Sequence, residues 1–170
     1  AASGRAPQAI ALLGERVYVA CAESGNVCVL ADDALERCIA VGGRPARLAA
    51  DAATGTVYAL DEATGLVHVL SGDARRATWS VPGARSLALS AGRLIVGTAG
   101  GALVALDAAD GTLLQEAALP GGDAVLALAV PPSGERLYAG TYSALHAVRL
   151  ADLTETARAA LSGSYRALAV

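Results

Sequence analysis

Residues 7–43 read PQAIALLGERVYVACAESGNVCVLADDALERCIAVGG. Four short apolar runs lie within them: 9–12 (AIAL), 17–21 (VYVAC), 27–30 (VCVL) and 37–41 (RCIAV). Gly14-Glu15, Glu23-Ser24-Gly25-Asn26 and Asp32-Asp33 separate the runs. Runs of this length bounded by Gly, Asn and Asp are strands joined by tight turns. Four strands in about forty residues make one unit.

The unit recurs. Tyr18, Tyr58, Ile95 and Tyr138 occupy one position of the second strand, at spacings of 40, 37 and 43. Leu30, Leu70, Leu106 and Val148 occupy one position of the third, at spacings of 40, 36 and 42. The two anchors define copies at about 7–43, 44–83, 84–122 and 123–163, and the first strand of a fifth copy at 164–170. Each copy opens on a strand of small residues (8–12, 46–50, 86–89, 125–130 and 166–170), so the sheets can crowd a common axis. No stretch carries a sustained 3.6-residue apolar stripe with helix caps, and 152–161 aligns with the fourth strands 36–41 and 77–81. The fold class this predicts is all-β, a β-propeller of four-stranded blades, or a segment of a larger one of six to eight blades. The alternatives are a closed four-bladed ring with one terminal strand displaced, and an open arc completed by another copy or chain.

Composition agrees with thin, repetitive layers. The chain of 170 residues is 54% hydrophobic, with no Phe or Met and only Trp79 among the indoles, so its core is mainly Ala, Val and Leu. A net charge of -3, with Arg supplying all 13 basic residues, opposes broad contact with nucleic acid. No apolar run approaches the roughly 18 residues that span a bilayer, and 124–130 stops at Pro131-Pro132; the mean hydropathy of +0.46 reflects β layers. The start, Ala1-Ala2-Ser3-Gly4, has no signal-peptide pattern, so a targeting segment is expected to be absent or removed, and the compartment is left open.

Segments such as PPSGERLYAGTYSALHAVRL (131–150) and GERVYVACAESGNVCVLADD (14–33) resemble the YVTN family of β-propeller repeats, and GGALVALDAADGTLL (100–114) resembles quinoprotein-like repeats. Tyr18-Val19-Ala20-Cys21 approximates the namesake tetrad, whereas Ile95-Val96-Gly97-Thr98 and Tyr138-Ala139-Gly140-Thr141 echo it. The likeness implies the architecture. Its families include scaffolds, surface proteins, lactonases and redox enzymes, so it does not choose a chemistry.

Candidate chemical groups are sparse. Cys21, Cys28 and Cys38 fall in one copy. Centring the hairpin on Ser24-Gly25 sets Cys21 opposite Cys28, where a cross-strand disulfide is one reading and free buried thiols are the preferred one, because the count is odd. Their spacings do not match the close Cys pairs of zinc sites. His68 and His146 share a repeat position on the third strand and read as buried structural histidines without a third ligand. The carboxylates are mostly turn residues, and no Gly-x-Ser-x-Gly elbow occurs. Trp79, aligned with Ile39, Ala118 and Ala160 on the fourth strands, reads as a filler of space left by short neighbours. The binding candidates are the arginines at the strand starts, Arg44, Arg47, Arg85 and Arg166, with Tyr165 beside the last. Around a channel mouth they would form a positive collar for a carboxylate, phosphate or acidic peptide. These features predict a non-enzymatic propeller scaffold with a protein partner, no cofactor and no metal, able to assemble with another copy or further blades. The alternative is a fragment of a lactonase or quinoprotein-type enzyme whose catalytic groups lie in other blades.

Overall fold

Short apolar runs become strands in the computed structural model, which describes residues 4–161. The chain divides into two compact units, residues 1–82 and 83–170. In the N-terminal unit, β1 (Pro7–Leu13), β2 (Arg16–Cys21), β3 (Asn26–Ala31) and β4 (Ala34–Ala40) form one antiparallel sheet in sequence order. β5 (Pro45–Asp51), β6 (Thr56–Asp61), β7 (Leu66–Ser71) and β8 (Ala74–Ser80) form the second. The C-terminal unit repeats the arrangement with β9 (Ala84–Ser90), β10 (Arg93–Thr98), β11 (Ala102–Asp107) and β12 (Leu113–Ala118), then β13 (Ala127–Ala129), β14 (Arg136–Gly140), β15 (Ala144–Arg149) and β16 (Thr154–Ala160). No helix occurs among the described residues. The fifth first strand expected at 164–170 lies outside them, and of the opening strand expected at 125–130 only β13 forms.

The middle strands of each sheet are buried along most of their length, which explains their continuous apolar sequence. The fourth strands are largely exposed. In the N-terminal unit Tyr18, Val27, Val29 and Ile39 of the first sheet pack with Val57, Ala59 and Leu70 of the second. In the C-terminal unit Ile95, Leu103 and Ala105 pack with Leu128, Leu137, Ala139 and Val148. Each fully buried Leu, Val or Ile in these layers contributes about 1.5–3 kcal/mol of hydrophobic stabilisation.

Two backbone devices recur in all four sheets. The residue after the fourth strand donates its N–H to the carbonyl of the second turn: Val41 to Gly25 at 3.0 Å, Val81 to Gly65 at 2.8 Å, Leu119 to Gly101 at 2.8 Å and Leu161 to Ser143 at 2.9 Å. A side chain is not needed for this bond, so the last copy keeps it with Ser in place of Gly. The second device is a bulge on the fourth strand opposite the step Val29/Leu30, Val69/Leu70, Ala105/Leu106 or Ala147/Val148. It leaves Glu36, Arg76, Leu114 and Thr156 as the extra residues and bends the outer strand.

Two sequence expectations are corrected by the register. Cys21 does not face Cys28; it faces Asn26, and Cys28 lies opposite Val19. The loop is the four residues Ala22 to Gly25, with Gly25 left-handed (φ 62°) in its last place and not at its centre. Cys28 instead lies opposite Cys38 on β4 and is disulfide-bonded to it, so the preferred reading of free buried thiols fails for these two and holds for Cys21 alone. Trp79 pairs with Val67, and the residues paired at the equivalent positions are Ala117 and Ala159, one place before the expected Ala118 and Ala160. It stacks obliquely on buried Tyr58, with ring centroids 5.8 Å apart, which accords with a filling role.

The disulfide closes a sequence separation of 10 residues. Reducing it, or replacing Cys38 by Ser, is expected to lower the stability of the N-terminal unit by about 2–3 kcal/mol through release of loop-closure entropy in the unfolded chain. Urea unfolding followed by Trp79 fluorescence, with and without reductant, checks this; superimposable curves would refute it.

Candidate functional site

The predicted collar separates into parts. Arg44 is exposed just before β5, and its backbone N–H, not its guanidinium, makes the notable contact, to Asp61 Oδ2 at 3.1 Å. Arg47 lies two residues past Pro45 across a register shift, with Nη2 on Glu62 Oε1 at 3.0 Å and Nη1 donating to the Ala46 carbonyl at 3.3 Å. These two are brought together at the start of β5. Arg85 is exposed on β9, in the other unit. Tyr165 and Arg166 lie outside the described residues.

Asp61 is the last residue of the second strand in the N-terminal unit's second sheet; its equivalents are Cys21 and Thr98, last in β2 and β10, and Thr141, the residue after β14. All four are buried. Burial by itself pushes the Asp61 carboxyl up; hydrogen bonds from the Arg44 N–H, the Thr64 hydroxyl and the Ala63 and Thr64 N–H groups outweigh it and hold the group below the ordinary carboxylate range. Thr98 and Thr141 serve the same place with hydroxyls, Thr98 Oγ1 accepting from Ala102 N at 3.0 Å and Thr141 Oγ1 from Ala144 N at 3.1 Å. These groups are turn fasteners.

The histidines are buried, one in each unit. His68 Nδ1 lies 3.3 Å from Thr78 Oγ1, while its Nε2 has no partner among the described residues. Burial, followed by the positive charge of Arg75, lowers its pKa, so the ring is neutral at pH 7. His146 Nδ1 lies 2.6 Å from Glu155 Oε1. Among the described residues no group of three or more His, Cys, Asp or Glu is arranged to hold a metal.

The concave feature is in the C-terminal unit. An open cleft of about 560 Å³ lies between the β9–β10 hairpin, with Ser90, Ala91 and Arg93, and the β14–β15 pair, with Arg136, Arg149 and Leu150. Arg136 and Arg149 are direct cross-strand partners, so they emerge on one side of the sheet. Arg93 reaches over from β10 and donates from Nη1 to the Leu150 carbonyl at 3.2 Å. Arg149 Nη1 meets Asp152 Oδ2 at 2.8 Å with both side chains about half exposed, a pairing worth little in water. Arg136 makes no ion pair or side-chain hydrogen bond among the described residues and is exposed. Sequence reasoning points to first-strand arginines and passes over these three. The signal is present: Arg stands at the first residue of β10 and β14 and the last of β15, which only a register places together.

No family profile and no curated protein sequence matches the chain. Solved structures do. Hydrazine synthase of Kuenenia stuttgartiensis superimposes with a TM-score of 0.85 at 13% identity, over 94% of this chain and 50% of that one. Raptor of Chaetomium thermophilum superimposes at 0.80 and 13% identity, over 95% of this chain and 17% of that one. Both contain β-propellers, and this chain has the four-stranded antiparallel sheets of such a fold. The fold is that of a β-propeller. At such identity the likeness carries architecture alone, and this propeller chain spans half or less of the length of either neighbour. Among its described residues no helix is long and apolar enough to cross a membrane.

Proposed function

We propose that this propeller chain is a non-enzymatic interaction module, of YVTN-like repeats, that presents blade edges and inter-blade loops to a protein partner. The observation that carries the reading is the state of the outer strands. Leu35 on β4 is 51% exposed, and Leu113 and Leu114 on β12 are 57% and 47% exposed. β4 and β12 are terminal strands of their sheets, and the leucines lie at the bulges that interrupt them. A bulged edge is a poor template for backbone pairing, so recognition there falls to side chains. Exposed leucines on such an edge suit an apolar contact with another protein. Arg44, Arg47 and Arg85 are proposed as polar contacts of the same function, as are Tyr165 and Arg166, which lie outside the described residues.

Crosslinking in the native extract, followed by reconstitution with the purified partner, tests the module. Leu35→Glu and Leu113→Glu/Leu114→Glu are expected to weaken the reconstituted complex by about tenfold or more, since a charge replaces buried apolar contact. A purified partner whose affinity is unaffected by either variant would refute an edge-mediated contact.

A further inference from the structure

We propose that the arginine cleft of the C-terminal unit binds an acidic peptide segment, through side-chain carboxylates held by Arg93, Arg136 and Arg149. The proposal rests on the reading of the chain as a protein-binding module and gives the chemistry of what it binds.

Three observations support it. The first is the like-charge pair. Arg136 and Arg149 sit directly opposite one another on β14 and β15, an arrangement that costs stability unless an anion lies between or beside them. Asp152 takes up part of the Arg149 charge, and Arg136 has no acid among the described residues. The cleft lining holds three guanidiniums against one carboxylate, Glu135, on a chain whose net charge is -3.

The second is that the repeat does not require these arginines. The residues equivalent to Arg93, Arg136 and Arg149 in the N-terminal unit are Arg16, Thr56 and Ser71, each at the same end of its strand. Arg16 there is neutralised, its Nε lying 3.2 Å from Glu36 Oε2. The fold is thus built equally well with one compensated arginine at this edge. The trio is a property of one cleft, not of the architecture.

The third is shape. Arg93 comes from one sheet and Arg136 and Arg149 from another, so the arginines line the cleft from two sides. Ala91, Leu150 and Ala151 provide apolar wall between them. An open volume of about 560 Å³ is within the range of sites for extended organic ligands, and a single phosphate would leave most of it empty. Guanidinium forks grip carboxylates in bidentate fashion, and Arg93 keeps donors to spare after its bond to Leu150. Asp or Glu side chains spaced along an extended peptide satisfy both the charge and the length.

The test is titration of the intact chain with a blocked hexaglutamate peptide, its hexaglutamine counterpart and inorganic phosphate. Binding of the glutamate peptide, none of the glutamine peptide, and weakening as salt is raised are expected. Arg136→Ala should lower affinity about tenfold, Arg136→Lys less, and Arg136→Ala/Arg149→Ala should abolish binding, while Arg76→Ala on β8 leaves it unchanged. These arginines are exposed, so circular dichroism should be unaltered. Equal binding of both peptides, or full binding by the double variant, overturns the proposal. So does displacement of the peptide by phosphate at equal concentration, which would make the site a phosphate reader. If the purified protein partner still binds the double variant at full strength, the cleft assignment alone falls; if edge and cleft variants both leave partner affinity intact, the module reading falls as well.

Discussion

Replacement of Asp61 by Ala is expected to cost the N-terminal unit about 3 kcal/mol, a large part of a small domain's stability. The carboxylate is 1% exposed and accepts from Arg44 N at 3.1 Å and Ala63 N at 2.9 Å, with Thr64 also donating. Its removal takes the acceptor from several part-buried donors at once, each carrying a desolvation cost of up to about 1–3 kcal/mol less whatever water recovers. Gly43 belongs to the same fastener: at φ 59° it takes a left-handed turn, and a Cβ there would run into the Asp61 carboxylate. The effect also has a pH signature. Because folding lowers the Asp61 pKa, its stabilisation is complete above the ordinary carboxylate value near 3.9 and is lost as pH falls through the lower folded value. Urea midpoints for the wild type should therefore fall more steeply below about pH 4 than those of Asp61→Asn. Parallel acid limbs would show that the carboxylate carries no net stabilisation.

Gly97→Val should destabilise the C-terminal unit by about 3 kcal/mol or prevent it from folding. Gly97 has an ordinary strand conformation, so its necessity is steric. A Cβ there would lie 2.5 Å from Ser86 Oγ and 2.5 Å from Val125 Cγ1, with Val125 Cβ at 2.7 Å. Ser86 cannot easily turn away, because its hydroxyl donates to the Val125 carbonyl at 2.8 Å. Val125 is also pinned by its N–H bond to the Thr98 carbonyl at 3.0 Å. A glycine in this strand interior marks close approach of two neighbouring side chains, Ser86 and Val125. Gly100, three residues on, has open space for 4 Å around the place a Cβ would take and no left-handed φ, so Gly100→Ala should stay within about 0.5 kcal/mol of wild type. Equal effects at the two sites, measured by thermal unfolding, would remove the close-approach explanation.

The propeller is legible in the sequence because its signals are local. Tight turns need Gly or Asp, and strands buried on both faces need continuous apolar runs, so both leave a period in the chain. What is not legible depends on single-residue register. The second turn spans four residues from Ala22 to Gly25 but three from Ala99 to Gly101, with the left-handed glycine last in both. Centring that turn on its glycine misplaces the partner by two, which is why the sequence alone sets Cys21 opposite Cys28. The third turns differ in length between copies, 72–73 against 108–112 and 150–153, which shifts the residues equivalent to Trp79 by one. The arginine cleft escapes for a related reason: Arg93, Arg136 and Arg149 are far apart in sequence, and only hairpin pairing brings the last two abreast. The predicted collar rests on strand starts, where Arg47 turns out to be engaged with Glu62.

Cys21 gives the N-terminal unit a built-in clock. Its thiol is covered by residues 4–6, where Gly4 lies over the sulfur and Arg5 and Ala6 offer their carbonyls to Glu23 and Ala22. Desolvation raises its pKa, so the covered sulfur is a poor nucleophile. An alkylating reagent reaches this thiol when residues 4–6 lift from the first sheet. The rate of mass gain follows the fraction of time the sulfur is uncovered on the unaltered polypeptide, without any engineered label.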